Sequence, residues 1–311
     1  MAYQAKQITY GQKQPEPPRR KVRWGRILLA LLLFALVLGV TTLAAYGWYL
    51  ERKVVVEPNG APAPLAKDKP VNVLVIGVDR DPKSGEPTRR QTLNTDTLIV
   101  AHIDPAGSTA SLLSIPRDTR VQLPTGIEKI NAAYAIGGMD RLKRTVTDLT
   151  GLNIDRYVMI DFPAFAGLVD ALGGVTFNVD KPIQNPEGTV SLQPGEQNLN
   201  GQGALTVVRD RQEAMGDIAR VQRQQKFLDA VGAKLRQSNV VDWMKALRAM
   251  SDSLQTDMTI NEMGTIAYAL HGEGSTITAQ TVPGEFLDVY GVSYWKANEA
   301  ELKKLVQGMT Q

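Results

Sequence analysis

The chain contains no cysteine and only two histidines, His102 and His271. The first absence excludes disulfides, a thiolate nucleophile and cysteine-ligated zinc, and leaves the compartment open. The second argues against a histidine triad or a histidine zinc site. His102 falls inside an apolar strand pattern, where it reads as a packed strand residue, and His271 lies in a polar stretch with no motif around it. There is no Walker-type phosphate loop, no H-E-x-x-H zinc motif and no G-x-S-x-G nucleophile elbow. No repeat or low-complexity segment interrupts the chain. No basic recognition element occurs in residues 71–311, so nucleic acid is not an expected partner.

Charge is missing altogether from residues 27–50 and abundant just before them. Residues 1–26 carry seven bases (Lys6, Lys13, Arg19, Arg20, Lys21, Arg23 and Arg26) against one acid, Glu16, a net of +6. The whole chain is +3, so the remainder is −3 and the basic character belongs to the tail. The uncharged run, dense in Leu, Ala and Val, spans roughly 36 Å as a helix, enough for a hydrocarbon core of ~30 Å. Trp24 stands at one end and Tyr46, Trp48 and Tyr49 at the other, where amphipathic rings favour the interface. A cleaved signal has a shorter apolar region of about 7–15 residues and a small-residue cleavage site, so the run predicts a retained transmembrane helix. The positive-inside tendency puts residues 1–26 in the cytoplasm and residues 51–311 outside, a single-pass membrane topology.

Residues 51–70, with Pro58, Pro62, Pro64 and Pro70, read as a linker. Residues 71–311 form the expected extracytoplasmic domain. Val71–Val78, Leu98–Ile103 and Ala110–Ile115 have buried-strand patterns, with a turn signal at Asp104–Ser108 between the last two. Helical spacing covers Arg141–Leu149. Tyr157–Phe162 is strand-like, Ala164–Leu172 is an apolar helix, and Gly173-Gly174 stops it before a strand at Val175–Val179. An amphipathic helix is expected from Asp217 to about Arg236. Strands alternating with helices predict an α/β sheet covered by helices.

A meander of the first three strands carries a chemical consequence. If the first strand runs upward, it delivers Asp79 at its top, the second returns Asp96 to that edge, and the third ends at Pro116-Arg117-Asp118. Two carboxylates and a guanidinium on one rim can hold Mg²⁺ and an oxyanion together, since Mg²⁺ takes oxygen ligands and shares them with phosphates. The same residues also fit ordinary strand-end turns, with Arg117 neutralising the acids. A second, basic cluster follows in Arg209-Asp-Arg211, whose arginines share a side if extended, and in Arg220 and Gln224, one helical turn apart. Arginine forks suit phosphate oxygens, but a solvated helix face fits as well. Lys129 reads either as a surface base or as a phosphate contact.

In order, Asn72–Asp79, Asp96-Thr-Leu-Ile-Val, Leu113–Thr119, Lys129–Tyr134, Asp161–Val175, Pro194–Gly201, Val208-Arg-Asp-Arg211, Gly216–Arg220 and Arg223-Gln-Gln225 resemble the LytR–CpsA–Psr family of cell-envelope enzymes. The resemblance covers residues 70–235 and continues more weakly through Val282-Pro-Gly and Gly291–Trp295. It implies a three-layer α/β/α sandwich with a mixed central sheet, preceded by one transmembrane helix. It also implies transfer of a glycopolymer from a polyprenyl diphosphate carrier to peptidoglycan, assisted by Mg²⁺ or Mn²⁺. Asp79 and Asp96 look like the metal-holding carboxylates, with Arg117 and Asp96 as the catalytic pair. Arg209, Arg211, Arg220, Gln224 and Lys129 look like the substrate-binding set. One departure is Asn94, where an arginine is common; Arg80, Arg89 and Arg90 stand nearby. Phe165–Leu172 reads as core packing or as part of a groove for the prenyl tail. A hydrolase acting on the same diphosphate and a non-catalytic sensor of envelope lipids are the competing functions.

Overall fold

The computed structural model describes residues 64–66, 68–78, 95–185, 191–210 and, with short interruptions, 223–310, together with 47, 49, 52 and 189. The expected transmembrane run at 27–50 lies almost wholly outside these residues. Among the described residues no helix is long and apolar enough to cross a membrane.

The antiparallel meander expected from the sequence is present. β1 (Val71–Val78) pairs with β2 (Thr95–Asp104), and β2 with β3 (Thr109–Ile115). The turn between β2 and β3 forms because the Asp104 carboxylate accepts from the Ala106 N–H at 3.0 Å, closing the chain locally. β3 leads into a small hairpin of β4 (Arg120–Leu123) and β5 (Gly126–Lys129) and then into α1 (Ala133–Thr150). β6 (Arg156–Asp161) returns parallel to β1, pairing Val78 with Asp161. Its last residue also starts α2 (Phe162–Ala171), because the Asp161 carboxylate accepts from the Ala164 N–H at 2.9 Å. The Gly-Gly stop is real. Gly173 and Gly174 sit at φ 76° and 88°, and the Gly174 N–H closes the helix end on the Val169 carbonyl.

β7 (Val175–Val179) pairs with β10 (Gly195–Leu199), and β8 (Ile183–Gln184) with β9 (Ser191–Leu192). α3 (Gly201–Arg209) then packs tightly on α2. A Cβ at Gly201 would lie 2.4 Å from the Ala166 carbonyl oxygen, so only glycine allows that approach. The helix expected from Asp217 begins outside the described residues; those described between 223 and 234 are helical and bury Phe227 and Val231. α4 (Val240–Met250), β11 (Gln255–Thr256), α5 (Ile260–Ala269), β12 (Thr276–Thr281), a hairpin of β13 (Gly284–Val289) and β14 (Val292–Ala297), and α6 (Glu299–Met309) complete the chain.

The central sheet has the order β11-β6-β1-β2-β3-β12 and mixes parallel and antiparallel pairs. Alternation along its strands fills both faces. Leu74, Ile76, Val78, Val100 and Leu113 pack with Leu142 and Val146 of α1 and Leu302 of α6. Val71, Val73, Ala101 and Ile103 pack with Met258 and, on α5, Met263 and Ile266. A separate core gathers Val169, Phe177, Leu199, Val207 and Phe227.

Candidate functional site at the strand ends

Val78 pairs with Thr95 on one side and Asp161 on the other, so one sheet edge collects the end of β1, the start of β2 and the end of β6. The end of β3 arrives at the same edge, since Leu98 pairs with Ile115. In open α/β sheets ligands gather at the carboxyl ends of the strands. Asp79, the first residue past β1, lies outside the described residues.

Asp96 and Arg117 meet as the meander predicts. The Arg117 Nη1 donates to Asp96 Oδ1 at 2.8 Å, with both side chains about a quarter exposed. The turn carrying Arg117 is tied down by Thr119, whose N–H and hydroxyl both donate to the Pro116 carbonyl. Arg117 therefore stands on a fixed backbone. Its Nε is buried and has no hydrogen-bond partner among the described residues; Asp118 Oδ2 stays 3.8 Å away, beyond hydrogen-bond reach. The Thr95 hydroxyl beside Asp96 is fully buried and equally without a partner. A buried polar atom left without a partner is costly, which makes this edge, with two of them among the described residues, the candidate place for a polar ligand.

Lys129 reaches the same edge from the end of β5, where Arg120 and Lys129 are register partners. Its Nζ bonds Asp118 Oδ1 at 2.8 Å and stands 5.9 Å from the Tyr294 ring centre. Asp118 thus lies between Arg117 and Lys129, a role that spacing did not signal. Arg209 is the last residue of α3, and its guanidinium covers the Phe162 ring at 4.8 Å. Phe162 directly follows the edge residue Asp161, which brings Arg209 to the strand-end side of the sheet. The next residue, Asp210, is extended and buried, bonded to Arg223 Nη1 at 2.8 Å and within 3.3 Å of Lys181 Nζ. Arg211, Arg220 and Gln224 lie outside the described residues, as do Asn94, Arg80, Arg89 and Arg90. Sequence reasoning placed Asp118 on the rim beside Arg117 but missed Thr95, Phe162 and Asp210, because each acts through a contact with a residue distant in the chain or through burial.

The helix at Phe165–Leu172 is occupied with packing. Ala164, Ala166 and Val169 are buried, and Phe165 meets Phe227 at 6.0 Å between ring centres. His102 is likewise a strand residue, with Nδ1 2.8 Å from Asn72 Oδ1. Burial lowers its pKa, against the pull of Asp104 and Asp155.

The family model described as "LytR_cpsA_psr family" matches residues 44–311. Polyisoprenyl-teichoic acid–peptidoglycan teichoic acid transferase TagV of Bacillus subtilis (strain 168) is 36% identical over 209 residues, covering 63% of this chain and 52% of TagV. The chain thus spans about half the length of that curated relative. Polyisoprenyl-teichoic acid–peptidoglycan teichoic acid transferase TagU of Halalkalibacterium halodurans is 32% identical over 305 residues, covering 90% of this chain and 96% of TagU. The crystal structure of B. subtilis TagV superposes with a TM-score of 0.67 at 30% identity, covering 79% of this chain and 98% of that one. By the extent of the family match, supported by a shared fold, this chain belongs to the LytR–CpsA–Psr family.

Proposed function

We propose that this chain is a membrane-anchored phosphotransferase that moves a glycopolymer from a polyprenyl diphosphate carrier onto peptidoglycan in cell-envelope biogenesis. The observation that carries the reading is Arg117, fixed on its turn beside Asp96 at the strand-end edge, with a buried Nε that has no partner among the described residues. The family membership and the transferase names of TagV and TagU support it.

In the transfer, an acceptor hydroxyl oxygen bonds to the phosphorus next to the polymer. The bond to the lipid-side phosphate breaks, the hydroxyl proton passes to water, and prenyl phosphate leaves with the new negative charge. Arg117 is placed to meet that charge with a preorganised fork, which costs no rearrangement at the moment of reaction. Arg209, held over Phe162, supplies a second guanidinium for the diphosphate; Arg211, Arg220, Gln224 and Lys129 complete the binding set. The Asp96 carboxylate and the buried Thr95 hydroxyl, which has no partner among the described residues, are hard oxygen donors of the kind Mg²⁺ or Mn²⁺ takes, so these residues fit the ion, with Asp79 as the further carboxylate. When bound, the ion neutralises phosphate charge as a Lewis acid. The uncharged run at 27–50 anchors the chain, with the basic tail in the cytoplasm and the catalytic domain outside, and nucleic acid is not a partner.

Extracting full-length protein from its native membrane and identifying the co-purified lipids by mass spectrometry tests this directly. A prenyl diphosphate carrying sugar is expected. Recovery of bulk phospholipid alone from active preparations would remove the carrier from the reading.

A further inference from the structure

The β13–β14 hairpin carries two exposed aromatic side chains. Tyr290 at its tip is 102% exposed, and Phe286 is 43% exposed. The tip turn has positive φ at both central residues, 54° at Tyr290 and 82° at Gly291. Glycine or asparagine occupies the first of these positions without strain, whereas a bulky ring there is strained and gains no packing in return. The turn is nevertheless held, with the Gly291 N–H donating to Asp288 Oδ1 at 2.9 Å.

Cross-strand partners share a face, so Phe286 opposite Trp295 lies on the same face as Asp288 opposite Ser293. The two rings meet edge to face, 5.1 Å between centres. Trp295 is locked, its indole N–H donating to the Val282 carbonyl at 3.1 Å and its ring lying where a side chain on Gly284 would stand. Rigid rings flanked by a carboxylate and a hydroxyl suit a sugar. The ring faces take pyranose C–H groups, and the oxygens take its hydroxyls. Glu285 stands opposite Lys296 on the other face, leaving Asp288 as the net charge of this one. A negative face disfavours an anionic lipid surface or a polyphosphate chain.

The hairpin is rooted on the candidate site itself. The Trp295 N–H donates to the Asp118 carbonyl at 2.9 Å, Thr119 bridges to Trp295, and Tyr294 lies beside Lys129. We infer that the Phe286–Trp295 face and Tyr290 form a platform for the glycan strand of the acceptor, leading it to the edge where Arg117 stands. This rests on the transfer reading for its substrate, but its binding step is measured separately.

The test uses detergent-solubilised full-length protein and labelled peptidoglycan glycan strands freed of their peptides. Tyr290→Gly and Phe286→Ala should each raise the strand Kd about ten-fold, the loss of one aromatic contact, with affinity for a prenyl diphosphate retained. Tyr290→Gly should also leave Tm unchanged or raise it, because the turn strain is relieved. A structural role for Tyr290 would instead lower Tm. Unchanged strand binding in both variants overturns the platform, and so does a loss of binding to anionic phospholipid vesicles in place of strands. A parent protein that binds the diphosphate but no strands sinks the platform alone. One that binds strands through these residues but no diphosphate supports the platform while the transfer reading fails.

Discussion

In the proposed transfer, Arg117 serves two acceptors of different permanence. One N–H group is committed to Asp96, while Nε is buried with no partner among the described residues. A lysine at 117 could keep the charge but not the fork, so it would satisfy one of the two. Arg117→Lys is expected to keep most carrier affinity and to lose turnover by roughly 10²–10³-fold, the cost of one preorganised oxyanion donor. Single-turnover rates, carrier affinity and Tm on the same variant decide the point. A steep fall in Tm with every other quantity lost in proportion would return Arg117 to holding the fold. The Asp96–Arg117 pair was legible because a short turn and strict alternation leave one way to fold the meander. The stacking of Arg209 on Phe162 was not, since it joins the end of one helix to the start of another through packing that no local pattern encodes.

Among the elements, α5 shows how a single carboxylate can join three segments. Glu262 closes the capping box with Thr259, receives Arg156 from the first position of β6 at 2.7 Å, and accepts the Leu65 N–H from the linker at 3.0 Å. The Thr259-x-x-Glu262 pattern is a readable helix start, yet the sequence reading places no helix there, because the polar run before it gives no strand to alternate with. β12, β13 and β14 were equally hidden. Their exposed, polar alternation lacks the apolar density that announced β1 and β7. Burial alone would raise the Glu262 pKa, but the Arg156 hydrogen bonds and the backbone donors of Thr259 and Leu65 outweigh it and hold the group below its ordinary 4.5. A folded pKa below the unfolded one means this stabilisation is present above the unfolded value and is lost as pH falls through the folded one. Glu262→Gln should cost about 2–3 kcal/mol at neutral pH and flatten the acid side of the stability profile. Urea midpoints measured from neutral to acid pH check both; a variant with the parent's acid slope would assign that slope to other groups.

For the molecule as a whole, the charge pattern of the first fifty residues predicts orientation. In intact cells, protease added outside should remove residues 51–311, and a label on the basic tail should survive; digestion of the tail would invert the topology. The sheet order has a second consequence, which concerns synthesis. Both outermost strands, β11 at 255–256 and β12 at 276–281, come from the last fifth of the chain, although the four strands between them are complete by residue 161. As the chain emerges, β6 therefore presents an open hydrogen-bonding edge for almost a hundred residues of further growth, and β3 for longer still. Open edges invite pairing with other chains. A newly made molecule is thus most vulnerable to aggregation after its inner strands have formed, and chain termination before residue 255 should yield a product that associates edge to edge.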